Sequence, residues 1–135
     1  MNKIRNGKNC REETLLNTNR PNPLRGEIWY VNFDPTIGTE IRRQRPAVVV
    51  SSDAVGVLPI KLIAPITGWK EHYSRYTWHV RIEPDSKNGL CKVSTVDTLQ
   101  LRGVDIKRFV RKIGRASPII MEEIAATIAA VVEYQ

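Results

Sequence analysis

Residues 25–52 read RGEIWYVNFDPTIGTEIRRQRPAVVVSS, and the fold turns on how this stretch divides. Ile28-Trp29-Tyr30-Val31-Asn32-Phe33 is β-branched and aromatic, and period-2 alternation sets Trp29, Val31 and Phe33 on one side of a strand. Asp34-Pro35 ends the run, because Pro35 has no N–H to give a ladder. Ala47-Val48-Val49-Val50 reads as a strand buried on both faces, with Pro46 confined to its first position. Between them, Thr36 to Arg45 carries three arginines, one glutamate and Gly38. Most hairpin loops run about 2–5 residues. A loop this long and this cationic reads as the rim of a binding or active site.

The chain has 135 residues, 41% of them hydrophobic, which fits one domain with a modest core. Its formal charge is +7, so a polyanion is the expected partner and a membrane surface a weaker one. The charge is uneven: residues 1–25 hold six Lys or Arg against Glu12 and Glu13, net +4, and the other 110 hold fifteen against twelve acids, net +3. A basic footprint in the folded part therefore has to come from clustering. Residues 1–24 are poor in apolar side chains and end in Arg20-Pro21-Asn22-Pro23, which reads as a disordered extension ahead of one domain over 25–135. Cys10 and Cys91 lie in dissimilar contexts and are expected as free thiols of a cytoplasmic protein. No run is long enough to span a membrane, and no signal-peptide apolar region opens the chain.

Further along, Ile60 to Ile66 is a strong strand signal. Residues 68–76 form a second basic and aromatic loop, with Lys70, His72 and Arg75 beside Trp69 and Tyr73. Strands are expected over Thr77–Ile82, Leu90–Val93 and Val96–Leu101, with a tight turn at Asn88-Gly89. Asp105 can cap a short helix over Ile106–Phe109, before a short strand over Val110–Gly114. Ser117 suits an N-cap and Pro118 the first position of a long terminal helix, whose stripe is Ile120, Ile124, Ile128 and Val131, widened by Ile119 and Val132. Five to seven short strands with a short helix and one long C-terminal helix predict a mainly β fold, a small barrel or strongly bent sheet.

Chemistry is less legible. No glycine fingerprint, phosphate loop, CxxC, HExxH or EF-hand spacing occurs, so neither a nucleotide cofactor nor a metal is expected. His79, on a strand between Trp78 and Val80, reads as a hydrogen-bonded rim histidine. His72, in the second loop, reads as a solvated or phosphate-contacting residue and the local candidate for supplementary proton transfer. Arg42, Arg43 and Arg45 repel one another and are costly to cluster unless an anion attends. A solvated loop and a phosphate site both fit that triplet.

The core resembles the MazF/PemK family of toxin endoribonucleases. The likeness is carried by Arg25-Gly26-Glu27-Ile28-Trp29, Asp34-Pro35, Gly38-Thr39-Glu40 and Arg45-Pro46-Ala47-Val48-Val49-Val50, then Ala64-Pro65-Ile66-Thr67 and Gln100-Leu101-Arg102. It implies an SH3-like barrel with a C-terminal helix, working as a homodimer with a cognate antitoxin protein. It also implies metal-free cutting of single-stranded RNA, leaving a 2′,3′-cyclic phosphate and a 5′-hydroxyl. By the same resemblance Arg45 and Thr67 are the catalytic pair, and Thr39, Glu40, Gln100 and Arg102 match RNA-groove positions. Arg42, Arg43, Lys70, His72 and Arg75 join them as expected RNA contacts through charge. Ile41-Arg42-Arg43-Gln44 departs from the small or neutral residues many relatives carry, which implies an altered cleavage preference. Two other readings stay open: a gyrase-poisoning toxin of the same fold, and a non-catalytic nucleic-acid-binding module.

Overall fold

The computed structural model describes residues 21–35, 37–40, 43–56 and 58–134. Among them, seven strands form one antiparallel sheet: β1 (Glu27–Asn32), β2 (Gln44–Val49), β3 (Ile60–Gly68), β4 (His79–Ile82), β5 (Ser94–Asp97), β6 (Arg102–Asp105) and β7 (Phe109–Arg115). The strand order is β4-β5-β3-β2-β1-β7, with β6 also paired to β3. One helix, α1 (Pro118–Val131), follows. The mainly β class with a long C-terminal helix holds. The barrel is not closed: β4 and β7 end the strand path, and the Asp85–Gly89 turn lies between them, Lys87 O accepting from Arg115 N at 2.9 Å.

Period-2 alternation sorts the side chains into two cores. Trp29, Val31 and Phe33 pack with Ala47, Val49, Ile63, Val104, Ile106 and Phe109, the Trp29 ring meeting Phe109 edge-on at 5.7 Å. Ile28, Val48, Ala64, Ile66, Val80, Ile82 and Val96 point the other way, and Met121 and Ile124 of α1 cover them. Burying each such side chain stabilises the fold by about 1.5–3 kcal/mol. Ser117 caps α1, its hydroxyl accepting from Ile120 N at 3.2 Å. The expected stripe packs on the core through Ile120, Ile124 and Ile128, but the residues expected to widen it do not. Met121 is buried, whereas Ile119 is 75% exposed and Val132 64%.

β3 is the spine of the sheet. Along one edge its first half pairs β6 and its second half pairs β5, while Ile63–Pro65 pairs β2. The strand expected over Val96–Leu101 is instead β5, then a 3-10 turn at Thr98–Gln100 capped by Asp97, then β6. Asp97 Oδ1 accepts from Leu99 N, and the Thr98 hydroxyl donates to Trp78 O across to the start of β4, so the chain leaves the ladder there. The expected strand over Leu90–Val93 is a loop. Asn88 explains it: its buried amide accepts from Leu90 N and Asp85 N and donates to Glu83 O, holding the backbone in a turn. The turn docks against β7, where a Cβ on Gly114 would lie 2.4 Å from Asn88 C and Lys87 O. The expected 3-10 cap at Asp105 is present, its carboxylate accepting from Lys107 N at 2.8 Å.

The β1–β2 loop is pinned at both ends. Asp34 Oδ1 accepts from Arg43 N at 2.9 Å, and Phe33 N donates to Arg43 O at 2.9 Å. Arg108 Nη1 donates to the carbonyls of Asn32 and Asp34. Among the described residues no helix is long and apolar enough to cross a membrane. The expected disorder of residues 1–20 lies outside the described residues. Residues 21–24 lack regular structure, but Pro23 is buried and Leu24 N donates to Glu27 Oε1 at 2.9 Å.

Candidate active site

The β2–β3 ladder ends at Ala47↔Pro65. Pro46 precedes Ala47 and Pro65 closes the pair; neither has an N–H to extend the ladder. Continuing that register by two residues sets Arg45 opposite Thr67. Arg45 also pairs with Val31 of β1, and Thr67 with Thr95 of β5, which pairs with Arg81 of β4. Arg45 thus ends the paired row Val31–Arg45, and Thr67 begins the row Thr67–Thr95–Arg81. Asp97 and His79, two places along β5 and β4 from this row, fall on the same face by alternation.

Past the prolines lies a cavity of about 800 Å³. Arg45, Thr67, Thr39, Lys70 and Gln100, all expected site residues, line it. So do four that sequence reasoning did not assign to the site: Trp69, Tyr73, His79 and Lys92. Arg45 is exposed and Thr67 half-buried. Lys92 Nζ sits where a side chain on Gly68 would meet it, at 3.2 Å from the would-be Cβ. Arg45, Lys70 and Lys92 share the cavity with one acidic side chain, Asp97, whose carboxylate is already engaged by Leu99 N and Gln100 Nε2. The balance is cationic.

Other expected residues lie elsewhere. Glu40 and Arg102 line a second cavity of about 640 Å³, which shares Thr39 and Gln100 with the first. Glu40 Oε1 accepts from Ile37 N at 2.8 Å, and the Arg102 guanidinium lies 5.6 Å from the Phe33 ring. His72 and Arg75 sit on an exposed 3-10 segment, Glu71–Arg75, and line neither cavity. Arg43 lines neither; its φ of 62° and its backbone bonds to Asp34 and Phe33 make it a loop anchor. Arg42 lies outside the described residues.

The aromatic wall is ordered. Tyr73 stacks on His79 at 4.1 Å and 16°, and Trp69 meets Tyr73 edge-on at 6.0 Å. Trp69 Nε1 is buried with no hydrogen-bond partner. His79 Nδ1 lies 3.0 Å from Thr95 Oγ1. Burial pushes the His79 pKa down, the Asp97 carboxylate pulls it back up, and nearby His72 lowers it, leaving it below its ordinary 6.5. Cys91, also at the cavity, is disulfide-bonded, which corrects the free-thiol expectation. The same expectation for Cys10 lies outside the described residues. Lys92 and Cys91 escaped notice because residues 90–93 read as strand; the buried-amide turn at Asn88 was the available signal.

Comparison with known proteins bears on this site. Residues 24–132 match the family described as PemK-like, MazF-like toxin of type II toxin-antitoxin system. Endoribonuclease MazF9 of Mycobacterium tuberculosis (strain ATCC 25618 / H37Rv) is 34% identical over 99 residues, 69% of this chain and 81% of that protein. Endoribonuclease toxin ChpB of Escherichia coli (strain K12) is 34% identical over 112 residues, 81% and 93% of the two chains. Among solved structures, MazF (form I) from Deinococcus radiodurans superposes with a TM-score of 0.69 at 25% identity, covering 82% of this chain and 96% of that one. The match spans every strand and the helix, and the chain belongs to the PemK-like, MazF-like toxins of type II toxin–antitoxin systems.

Proposed function

We propose that this chain is the endoribonuclease toxin of its pair, cutting single-stranded RNA at short sequence motifs without a metal ion. The observation that carries the reading is that Arg45 and Thr67 line one cavity together with Lys70 and Lys92. Two curated relatives bear the name endoribonuclease, which supports the reaction class. The working form is a homodimer in the cytoplasm, held inactive by a cognate antitoxin protein, with residues 1–24 outside the toxin domain.

RNA brings its own nucleophile. In-line attack by the 2′-hydroxyl forms the O2′–P bond as the P–O5′ bond breaks, leaving a 2′,3′-cyclic phosphate and a 5′-hydroxyl. The protein orients the backbone and stabilises charge on the pentavalent phosphorus. Arg45 gives a planar two-toothed fork to the phosphoryl oxygens, and Thr67 donates its hydroxyl to a non-bridging oxygen. Lys70 and Lys92 attract the strand, and Thr39 and Gln100 contact it where the two cavities meet. Trp69 and Tyr73 offer faces on which an unpaired base stacks, a contact of about 1–3 kcal/mol. Glu40 and Arg102 extend the groove through the second cavity; Arg43, His72 and Arg75 act on the backbone from outside, and Arg42 adds its charge. Among the described residues no three His, Cys, Asp or Glu side chains gather as a ligand set, so the reading gives the charge work to Arg45.

The test is incubation of purified protein with mixed-sequence RNA in EDTA, mapping new 5′-hydroxyl ends. Cleavage at a recurring short motif is expected, and Arg45→Ala should abolish it. Activity lost in EDTA and restored by magnesium overturns the metal-free reading. Toxicity that survives Arg45→Ala overturns the nuclease reading itself.

A further inference from the structure

In-line attack needs an acceptor for the 2′-hydroxyl proton, and the residue pair named above does not supply one. Arg45 brings a guanidinium, a donor with no acceptor atom, and Thr67 offers only a hydroxyl. Lys70 and Lys92 bring ammonium donors without an acceptor, and Tyr30 and Tyr73 bring only phenols. The Asp97 carboxylate accepts from Leu99 N at 3.1 Å and Gln100 Nε2 at 3.2 Å. Cys91 is disulfide-bonded, and Ser94 Oγ donates to Lys92 O at 2.8 Å. Of the side chains lining the 800 Å³ cavity, only the His79 imidazole is left.

From this arrangement we infer that His79 is the general base of the cleavage reaction, taking the 2′-hydroxyl proton at Nε2. The inference rests on the ribonuclease reading above. Its geometry is built: Tyr73 stacks on one ring face at 4.1 Å, and Nδ1 lies 3.0 Å from Thr95 Oγ1. Thr95 is fully buried and is the cross-strand partner of Thr67. The imidazole therefore stands one residue removed from the catalytic pair, on the same face of the sheet. With Nδ1–H donating to Thr95, the Nε2 lone pair remains to accept.

The balance is simple. Nε2 gains the 2′-hydroxyl proton while O2′–P forms and P–O5′ breaks, and the 5′-oxygen takes its proton from water. The imidazolium then returns its proton to solvent. Burial suits the role, because it favours the neutral, accepting form. The groups that face the ring are Asp97 and Thr95 of β5, His72, Tyr73 and Tyr76 of the second loop, and Trp78 beside it. Arg45, Lys70 and Lys92 share its cavity. His72, the candidate for proton transfer on sequence grounds, lines neither cavity.

The experiment is single-turnover cleavage of one defined RNA oligonucleotide across pH, beside binding of the same RNA with a 2′-deoxy group at the cut site. Wild type should lose rate as pH falls through a midpoint below 6.5, the ordinary histidine value. His79→Gln should lose about 10²-fold or more in rate and the acid limb with it, with binding little changed. Imidazole added to His79→Gly should restore part of the rate. Thr95→Val should shift the midpoint rather than abolish the limb. The chain has two histidines, so proton NMR with His72→Asn as reference assigns the His79 titration in the wild-type protein, whatever the variants do. A His79 midpoint more than about one unit from the kinetic one, or His79→Gln within about threefold of wild type with its limb intact, overturns the assignment. Absence of any wild-type cleavage sinks the ribonuclease reading instead.

Discussion

Arg45 and Arg43 lie two positions apart and do different work. Arg45 is the second residue of β2, paired to Val31, and its neighbour Pro46 restricts its backbone. Arg43 serves the loop through its own N–H and C=O. Arg45→Lys keeps the charge and loses the fork, so single-turnover cleavage should fall about 10²–10³-fold, with affinity for uncleavable RNA nearly retained. Arg43→Lys keeps the backbone bonds and should stay within about threefold. Parallel rate and binding measurements on both variants check this; an Arg45→Lys rate near wild type would make Arg45 a binding residue only. Arg45 and Thr67 were legible as residues of one cavity because each lies at an end of a recognisable strand block. His79 was legible as a rim residue but not as a cavity residue, because its neighbours Tyr73, Thr95 and Asp97 come from two other segments, the second loop and β5. His72 and Arg75 looked equivalent to Lys70 in sequence, yet the 3-10 turn carries them away from the cavity.

At the scale of elements, β1, β2 and α1 were readable since each has an apolar period and a local stop signal. Residues 90–93 were not: Leu90 and Val93 alternate like a strand, and the amide of Asn88 overrides them with three hydrogen bonds. The docking of that turn on β7 gives a sharp expectation. A methyl on Gly114 would press on backbone atoms of Lys87 and Asn88 at 2.4 Å. Gly114→Ala should therefore cost about 1–3 kcal/mol or more. It should also weaken cleavage, since the turn delivers Lys92 to the cavity. At Gly103 the same change meets only the Ile60 Cγ2 methyl at 3.3 Å, so Gly103→Ala serves as the mild control. Thermal melts of both variants decide it, and equal losses would contradict the docking account.

Over the whole molecule, Glu27 ties three regions together. Its carboxylate accepts from Leu24 N at 2.9 Å and Trp29 Nε1 at 3.0 Å, and pairs with Lys112 of β7 at 3.1 Å. Burial pushes its pKa up, but these donors outweigh it and hold the group below its ordinary 4.5. A depressed carboxylate contributes stability that is full above its unfolded value and is lost as pH falls through the folded one. Glu27→Gln should thus destabilise the protein at neutral pH and flatten its loss of stability below about pH 4.5. Urea unfolding at a series of pH values tests this, and identical acid slopes for the two proteins would refute it. Closure of the sheet was beyond the sequence for a general reason: alternation reports which face a side chain takes, not which edges meet.

That unclosed edge carries an evolutionary consequence. The Asp85–Gly89 turn fills the space between β4 and β7 with one hydrogen bond to β7, Arg115 N to Lys87 O, in place of a ladder. It also leads directly into residues 89–93, which form one wall of the cavity. Length changes in this wedge break no strand pairing, so the cavity wall can be remodelled while the sheet that carries Arg45 and Thr67 stays intact.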